Sequence, residues 1–263
     1  MTIEALIFDL DGTLADTEEA HRLAFNLAFE RYRLGWNWSR DEYRVLLKTT
    51  GGKERLGAYI GQLTLSPTER QRLNALMPAI HAEKTKFYSS VVNDGAIPLR
   101  YGVARLLDEA LAAGCRLALA SSTTAVNVDA LLHSTLGARG LDMFSVIVCG
   151  DQVRAKKPAP DIYKQALWHL DLPADRAVAF EDSTNGLQAA VAAGLWTVIT
   201  PNFWTEGGDF AAASLVLPYF GDETHPLPGE PGTHLRSAPW LTIDELLQRA
   251  TPPQPPLPWL PTM

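Results

Sequence analysis

Cysteine is scarce in this chain: two residues among 263, Cys115 and Cys149. Both border apolar runs, so they read as buried reduced thiols, not as a disulfide framework or a redox pair. Basic residues are outnumbered too, 23 Lys and Arg against 30 Asp and Glu, for a net charge of −7. That balance argues against generic nucleic-acid binding and against a polybasic membrane anchor. No apolar run approaches the roughly 20 residues that a membrane span needs. Neither a basic segment nor a cleavage site precedes the first strand-like run, Ile3 to Phe8, so no export signal is expected. The expected setting is the cytoplasm. What the chain has is apolar mass, 46% of its residues. That suffices for one large domain, with or without an insertion, and no covalent staples.

Short apolar runs alternate with amphipathic segments. Strands are predicted at Ala5–Phe8, Arg116–Ala120, Ser145–Val148, Arg176–Phe180 and Leu195–Ile199, with a weaker one at Ser214–Leu217. Helical patterns lie between them at Ala104–Ala113, Val126–Leu136, Pro160–Leu170 and Gly186–Ala193. Strand–helix–strand alternation predicts an α/β fold, a parallel sheet covered by helices on both faces. One stretch breaks the rhythm. From Asp16 to Asp94 the patterns are helical only, at Glu18–Arg31, Asp41–Leu47, Lys53–Ile60 and Pro67–Ser89. An inserted all-helical domain at 16–94 is therefore expected, with 1–15 and 95–250 forming a discontinuous core. Eleven of the 18 prolines follow Leu217, six of them within 251–263. Trp240–Arg249 still reads as a closing helix, and 251–263 as a proline-rich tail.

Four polar clusters each follow a predicted strand. Asp9-Leu10-Asp11-Gly12-Thr13 puts two carboxylates two positions apart, which is unfavourable without a cation between them; D-x-D-G is also a common turn. Ser121-Ser122-Thr123 ends the second strand with hydroxyls that suit an oxyanion or a helix cap. Lys157 precedes Pro158 and is kept out of helical geometry, placed to meet a phosphate or simply solvated in a loop. Glu181-Asp182 can complete a hard-cation site or cap the next helix. All four lie at the carboxyl edge of the sheet, where open α/β sheets bind ligands. Acids for Mg2+ together with hydroxyls and a lysine for an anion make a complementary set.

At these residues the sequence resembles the haloacid dehalogenase-like superfamily of aspartate-nucleophile phosphohydrolases. The helical insertion after the first motif is similar to the cap of its β-phosphoglucomutase and phosphoglycolate phosphatase subgroup. Within that subgroup Thr17-Glu18-Glu19-Ala20-His21-Arg22, Tyr43, Thr49-Thr50-Gly51-Gly52-Lys53-Glu54-Arg55, His81 and Lys84-Thr85 look most like CbbY proteins. The resemblance implies a Rossmann-like core and a monomer that removes phosphate from xylulose 1,5-bisphosphate, an inhibitor of the carbon-fixing enzyme Rubisco. It implies Asp9 as nucleophile, Asp11 as acid and base, Ser121 and Lys157 on the phosphoryl oxygens, and Ser122 as a further substrate-binding residue. Mg2+ would be held by Asp9, Asp182 and the main-chain carbonyl of Asp11, with Glu181 a further ligand or a neighbour. Glu18, His21 and Tyr43 would meet sugar hydroxyls, and Gly52, Lys53 and Lys84 a second phosphate. Two departures stand out: Tyr101, where the family often has proline, and a longer segment from Tyr219 to Ala238. A mutase, a phosphoglycolate phosphatase and a non-catalytic binding protein on the same fold are the competing expectations.

Overall fold

The computed structural model describes residues 3–95, 97–229, 235 and 238–250. The first strand, β1 (Ala5–Phe8), is four apolar residues buried on both faces, as a central parallel strand must be. Four helices follow before the chain returns to the sheet: α1 (Glu18–Arg31), α2 (Arg40–Leu46), α3 (Gly52–Gln62) and α4 (Pro67–Asn93). Local chemistry sets their starts. Ser39 and Glu42 form a reciprocal capping box on α2, and Ser66 with Pro67 opens α4. Thr17 is at the cap position of α1 yet makes no cap bond, because its hydroxyl is used elsewhere.

The remainder runs α5 (Val103–Ala112), β2 (Arg116–Ser121), α6 (Ala125–Leu136), β3 (Phe144–Cys149), α7 (Asp161–Leu170), β4 (Ala177–Glu181), α8 (Thr184–Ala192), β5 (Trp196–Ile199), β6 (Leu215–Val216) and α9 (Ile243–Ala250). The strands form one parallel sheet in the order β3-β2-β1-β4-β5-β6. Helices α5, α6 and α9 pack on one face, α7 and α8 on the other. The chain moves outward from β1 through β2 to β3, then crosses back to β4. The crevice between β1 and β4 is therefore the switch point at which such sheets bind ligands. Phe8 and Phe180 are paired there in register and stack at 4.4 Å.

Helices α1–α4 enclose an apolar cluster of their own around Phe25, Phe29, Trp38, Tyr43, Leu56 and Ile80. The start of α1 and the end of α4 instead join the core of the sheet through Ala20, Ala24, Tyr88 and Val92. No helix among the described residues is long and apolar enough to cross a membrane. Both cysteines are buried and unpaired.

Differences from the predicted elements have local causes. Strand β4 extends one residue further, so Glu181 belongs to it, and Ser183, not an acid, caps α8 by accepting from the Gly186 N–H. Helix α9 begins at Ile243, not Trp240, because the Thr242 hydroxyl accepts from the Glu245 N–H. Tyr101 packs against the start of the long segment after Tyr219: it stacks on His225 at 3.7 Å and meets Tyr219 edge-on. The proline-rich stretch 251–263 lies outside the described residues.

Candidate active site

A cavity of about 940 Å³ opens at the carboxyl edge of the sheet beneath the helical insertion. All four polar clusters reach it. Asp9 leaves β1 with its N–H bonded to Phe180 O, so main-chain pairing fixes the start of the loop. Gly12 then turns with φ +86°, and a Cβ there would lie 2.3 Å from Asp182 Oδ2. Only glycine fits this approach.

Lys157 is 5% exposed and donates to Asp9 Oδ1 and Glu181 Oε1, both at 2.5 Å. An ammonium has three N–H donors, so one remains for a ligand. Glu181, 1% exposed, also accepts from the Tyr163 hydroxyl at 2.7 Å through Oε1. Its Oε2 receives the Asp182 N–H and the Ser183 hydroxyl, each at 3.3 Å. Glu181 is thus committed to holding Lys157. Carboxylate oxygens of Asp9, Glu181 and Asp182 all lie within 4.8 Å of one another. Burial first, and Glu181 beside it, push the Asp9 carboxyl up to about 8 against the pull of Lys157. Burial, with Glu181 and Asp9 as neighbours, raises Asp182 in the same direction. A crowd of hard oxygen donors that resist ionisation together is the setting that a divalent cation relieves.

Asp11 is held differently. Thr17 donates to its Oδ1 at 2.6 Å, and His21 Nε2 meets the same oxygen at 3.1 Å. Lys84 Nζ lies 2.6 Å from His21 Nδ1. An ammonium only donates, so Nδ1 is the acceptor and Nε2 carries the hydrogen given to Asp11. Burial, then Lys84, lowers the His21 pKa and keeps the ring neutral. Burial likewise brings Lys84 down to about 8. For Asp11 burial pulls upward, but His21, Thr17 and Lys84 outweigh it and hold the carboxyl below its ordinary value. Both donors occupy Oδ1, and no donor among the described residues reaches Oδ2.

Beside these groups Ser121 is buried, its Oγ accepting from the Thr123 N–H. Ser122 Oγ and Thr124 Oγ1 are buried without a partner among the described residues, and both residues line the cavity. At the outer end the Tyr43 hydroxyl donates to Glu18 at 2.8 Å and accepts from Arg55 at 2.8 Å. Gly52 opens α3 directly over His81: a Cβ would sit 2.7 Å from the ring nitrogen. Burial, with Lys84, Lys53 and Lys156 around it, drives His81 down to about 3. A neutral histidine among three ammoniums marks an anion-friendly wall.

A family model described as haloacid dehalogenase-like hydrolase matches residues 6–200. The chain belongs to that family. Within it the chain falls among CbbY proteins, being 48% identical over 218 residues to protein CbbY of Rhodobacter capsulatus, 83% of this chain and 94% of that one. Two crystal structures of CbbY from Rhodobacter sphaeroides, one with phosphate and one of a variant with xylulose-(1,5)bisphosphate, superpose with TM-score 0.78 at 45% identity. Each covers 84% of this chain and 96% of its own. A phosphorylated carbohydrates phosphatase of Thermotoga maritima is 34% identical over 73% of this chain and 82% of its own length. This CbbY-family chain is an enzyme, a haloacid dehalogenase-like hydrolase.

The structure brings Asp9, Asp11, Glu18, His21, Gly52, Lys53, Lys84, Ser121, Ser122, Lys157 and Asp182 to one cavity, with Tyr43 just behind them through Glu18. Lys84, grouped with Lys53 on sequence, is tied to His21 on the Asp11 side. Sequence reasoning passed over Tyr163, Asn202 and Arg100, and it named Thr17 and Arg55 only within the strings that carry the resemblance, without a role in the site. Arg100 donates to the main-chain carbonyls of Gly12, Thr200, Pro201 and Pro218, and pairs with Asp16 just before α1 at 3.5 Å.

Proposed function

We propose that this enzyme is a Mg2+-dependent phosphohydrolase of a small sugar bisphosphate, xylulose 1,5-bisphosphate above all, working through an aspartyl-phosphate at Asp9. In this reading residues 16–94 form a cap over a core of 1–15 and 95–250. The observation that carries it is the two-ended cavity, with carboxylates and Lys157 at the sheet and the Glu18–Tyr43–Arg55 trio with Lys53 at the insertion.

Asp9, ionised beside Lys157, attacks phosphorus through one carboxylate oxygen and leaves the other for the metal. The third hydrogen of Lys157, with the Ser121 and Ser122 hydroxyls, meets the phosphoryl oxygens as charge spreads over them. Asp11 protonates the departing sugar oxygen, then takes a proton from the water that cleaves the acyl phosphate. Oδ2 is the oxygen for both transfers, because Thr17 and His21 occupy Oδ1. The incoming phosphate supplies the negative charge that favours the protonated Asp11 which the first transfer needs. Of the acidic group, Asp9 and Asp182 retain oxygens free for Mg2+, together with the Asp11 carbonyl, while Glu181 is fully engaged. Bound there, Mg2+ supplies charge neutralisation between an anionic nucleophile and an anionic phosphate.

A substrate panel tests the assignment: phosphate release from xylulose 1,5-bisphosphate, a matched monophosphate, phosphoglycolate and β-glucose 1-phosphate. The bisphosphate is expected to lead. Lys53→Ala is expected to lower its kcat/KM about 10- to 150-fold, as a lost charge-assisted contact does, with a smaller loss on the monophosphate. Equal losses, or a wild type that prefers phosphoglycolate or isomerises the glucose phosphate, would remove the bisphosphate assignment.

The metal is tested separately. In the metal-free protein Asp9 holds its proton up to about 8, against 3.8 as an ordinary carboxyl. Between those values the folded chain binds more protons than the unfolded one, so metal-free stability falls as pH rises. Metal competes with the same protons. The Mg2+-induced rise in Tm is therefore expected to be larger at pH 8 than at pH 5, and EDTA to abolish turnover. A rise that is equal or smaller at pH 8 counts against these ligands.

A further inference from the structure

Trp204 belongs to the core by sequence and to the insertion by packing. It lies in the loop after β5 and is 7% exposed. Among the described residues it is the one buried member of the insertion's apolar cluster that does not come from residues 25–80. Its ring meets Tyr43 edge-on, 5.7 Å between centroids and 89° between planes. Tyr43 is the hub of the outer polar trio, its hydroxyl joining Glu18 to Arg55. Trp204 thus backs that trio, and it lines the cavity as well.

The rest of the loop reaches the same way. Arg44 of α2 donates to the Glu206 carbonyl at 2.7 Å and approaches its carboxylate at 3.5 Å. Arg40 and Arg44 lie over the Phe203 ring at 5.1 and 5.5 Å. At the base of the loop one side chain makes the connection to the acids. Asn202 Nδ2 donates to Asp182 Oδ2 at 2.9 Å and to Gly12 O at 3.2 Å, while its Oδ1 accepts from the Trp204 N–H at 2.8 Å. The Asn202 carbonyl takes the N–H groups of Thr205 and Glu206. A continuous set of bonds and ring contacts therefore runs from Asp182 through Asn202 and Trp204 to Tyr43.

We infer that loop 202–208 determines specificity from the core side: Trp204 is a positioning residue that holds Tyr43 for the sugar and locks the insertion over the sheet. The inference rests on the sugar-phosphate reading above. Trp204 is sheltered only while the insertion sits on the core, so separating the two exposes a large ring to water. A sugar that engages Glu18, Tyr43 and Arg55 stabilises the docked arrangement, and its remote binding energy is thereby spent on closure over the acidic end. A phosphate ester without a sugar has no such grip.

The test compares wild type, Trp204→Ala, Trp204→Phe and Arg44→Ala on the best sugar phosphate of the panel and on p-nitrophenyl phosphate. Trp204→Ala is expected to lose about 10- to 100-fold in kcat/KM on the sugar phosphate, several-fold more than on p-nitrophenyl phosphate. Trp204→Phe, which keeps an edge-on ring, is expected to regain most of the loss. Arg44→Ala is expected to raise KM for the sugar phosphate about 3- to 10-fold. It leaves the apolar cluster intact, so the test stands even where Trp204→Ala does not fold. Equal losses on both substrates, or a Phe variant no better than Ala, overturn the inference alone. A wild type inactive on every sugar phosphate overturns the functional reading and the inference with it.

Discussion

Asp9→Asn is expected to leave a folded protein whose phosphate release is lower than wild type by at least about 10⁴-fold. The amide keeps the shape of the carboxylate and its place at the end of β1, but it cannot attack phosphorus. Folding is the control. The raised Asp9 carboxyl means that its charge is disfavoured where it sits, between burial and Glu181. Substituting a neutral group therefore costs no stability above pH 4 without metal, and the Tm of the metal-free variant at pH 8 is expected to equal or exceed that of wild type. Incubated with substrate, the variant forms no acid-stable, base-labile phosphoprotein. Residual turnover above a few per cent of wild type, in protein that mass spectrometry shows to be free of deamidation at the substituted position, would rule out Asp9 as the nucleophile.

The sheet edge was legible in the sequence because its groups come at or after the ends of apolar runs. Asp9, Ser121 and Asp182 stand at the ends of β1, β2 and β4, and the parallel sheet brings such ends together whatever the helices do. The same edge continues at Thr200-Pro201-Asn202, directly after β5. Asn202 proves to join Asp182 to the loop that carries Trp204. The insertion is legible as a break in period, and α1 starts at Glu18 as its apolar pattern predicts, even though Thr17 gives its hydroxyl to Asp11 and not to the helix.

What stayed hidden depends on which side chains meet across elements far apart in sequence. Arg55 is legible as the last residue of the string that carries the resemblance, but not its role: it is buried and donates to the Tyr43 hydroxyl. Tyr163 looks like one more apolar position of α7, and only its hydroxyl, aimed at Glu181, marks it as part of the site. Lys84 has the spacing of an exposed helix lysine. Its stem instead brings the ammonium to His21 and over the faces of Phe25 and Tyr88, at 5.2 and 5.0 Å. Sequence spacing places a charge on a helix; only the packing of α4 against α1 decides which histidine it meets.

The acidic end also makes Lys157 a structural group, and its removal is the second large effect expected. Lys157→Met keeps the length of the side chain and discards the ammonium that separates Asp9 from Glu181. Breaking a buried ion pair on one side costs about 3–5 kcal/mol, because the partner charge is left uncompensated. For a chain of this size that is a fall in Tm of roughly 6–20 °C. The fall is expected to deepen from pH 5 to pH 8. Lys157 pulls the Asp9 carboxyl down against burial, so without the ammonium Asp9 holds its proton more tightly still in the folded chain, and stability drops more steeply as pH rises through that interval. Turnover is expected to fall by a further measure, about 10²- to 10³-fold, for loss of the donor to the phosphoryl oxygens. The two roles separate in the double variant Lys157→Met/Glu181→Gln. Neutralising Glu181 removes the stranded charge, and an amide can still accept from Tyr163, so most of the lost Tm is expected to return while turnover stays low. Thermal melts and single-turnover rates on the same preparations check both. Recovery of turnover along with Tm would mean that Lys157 serves only to hold the acids apart, and that the phosphoryl group is met by other donors.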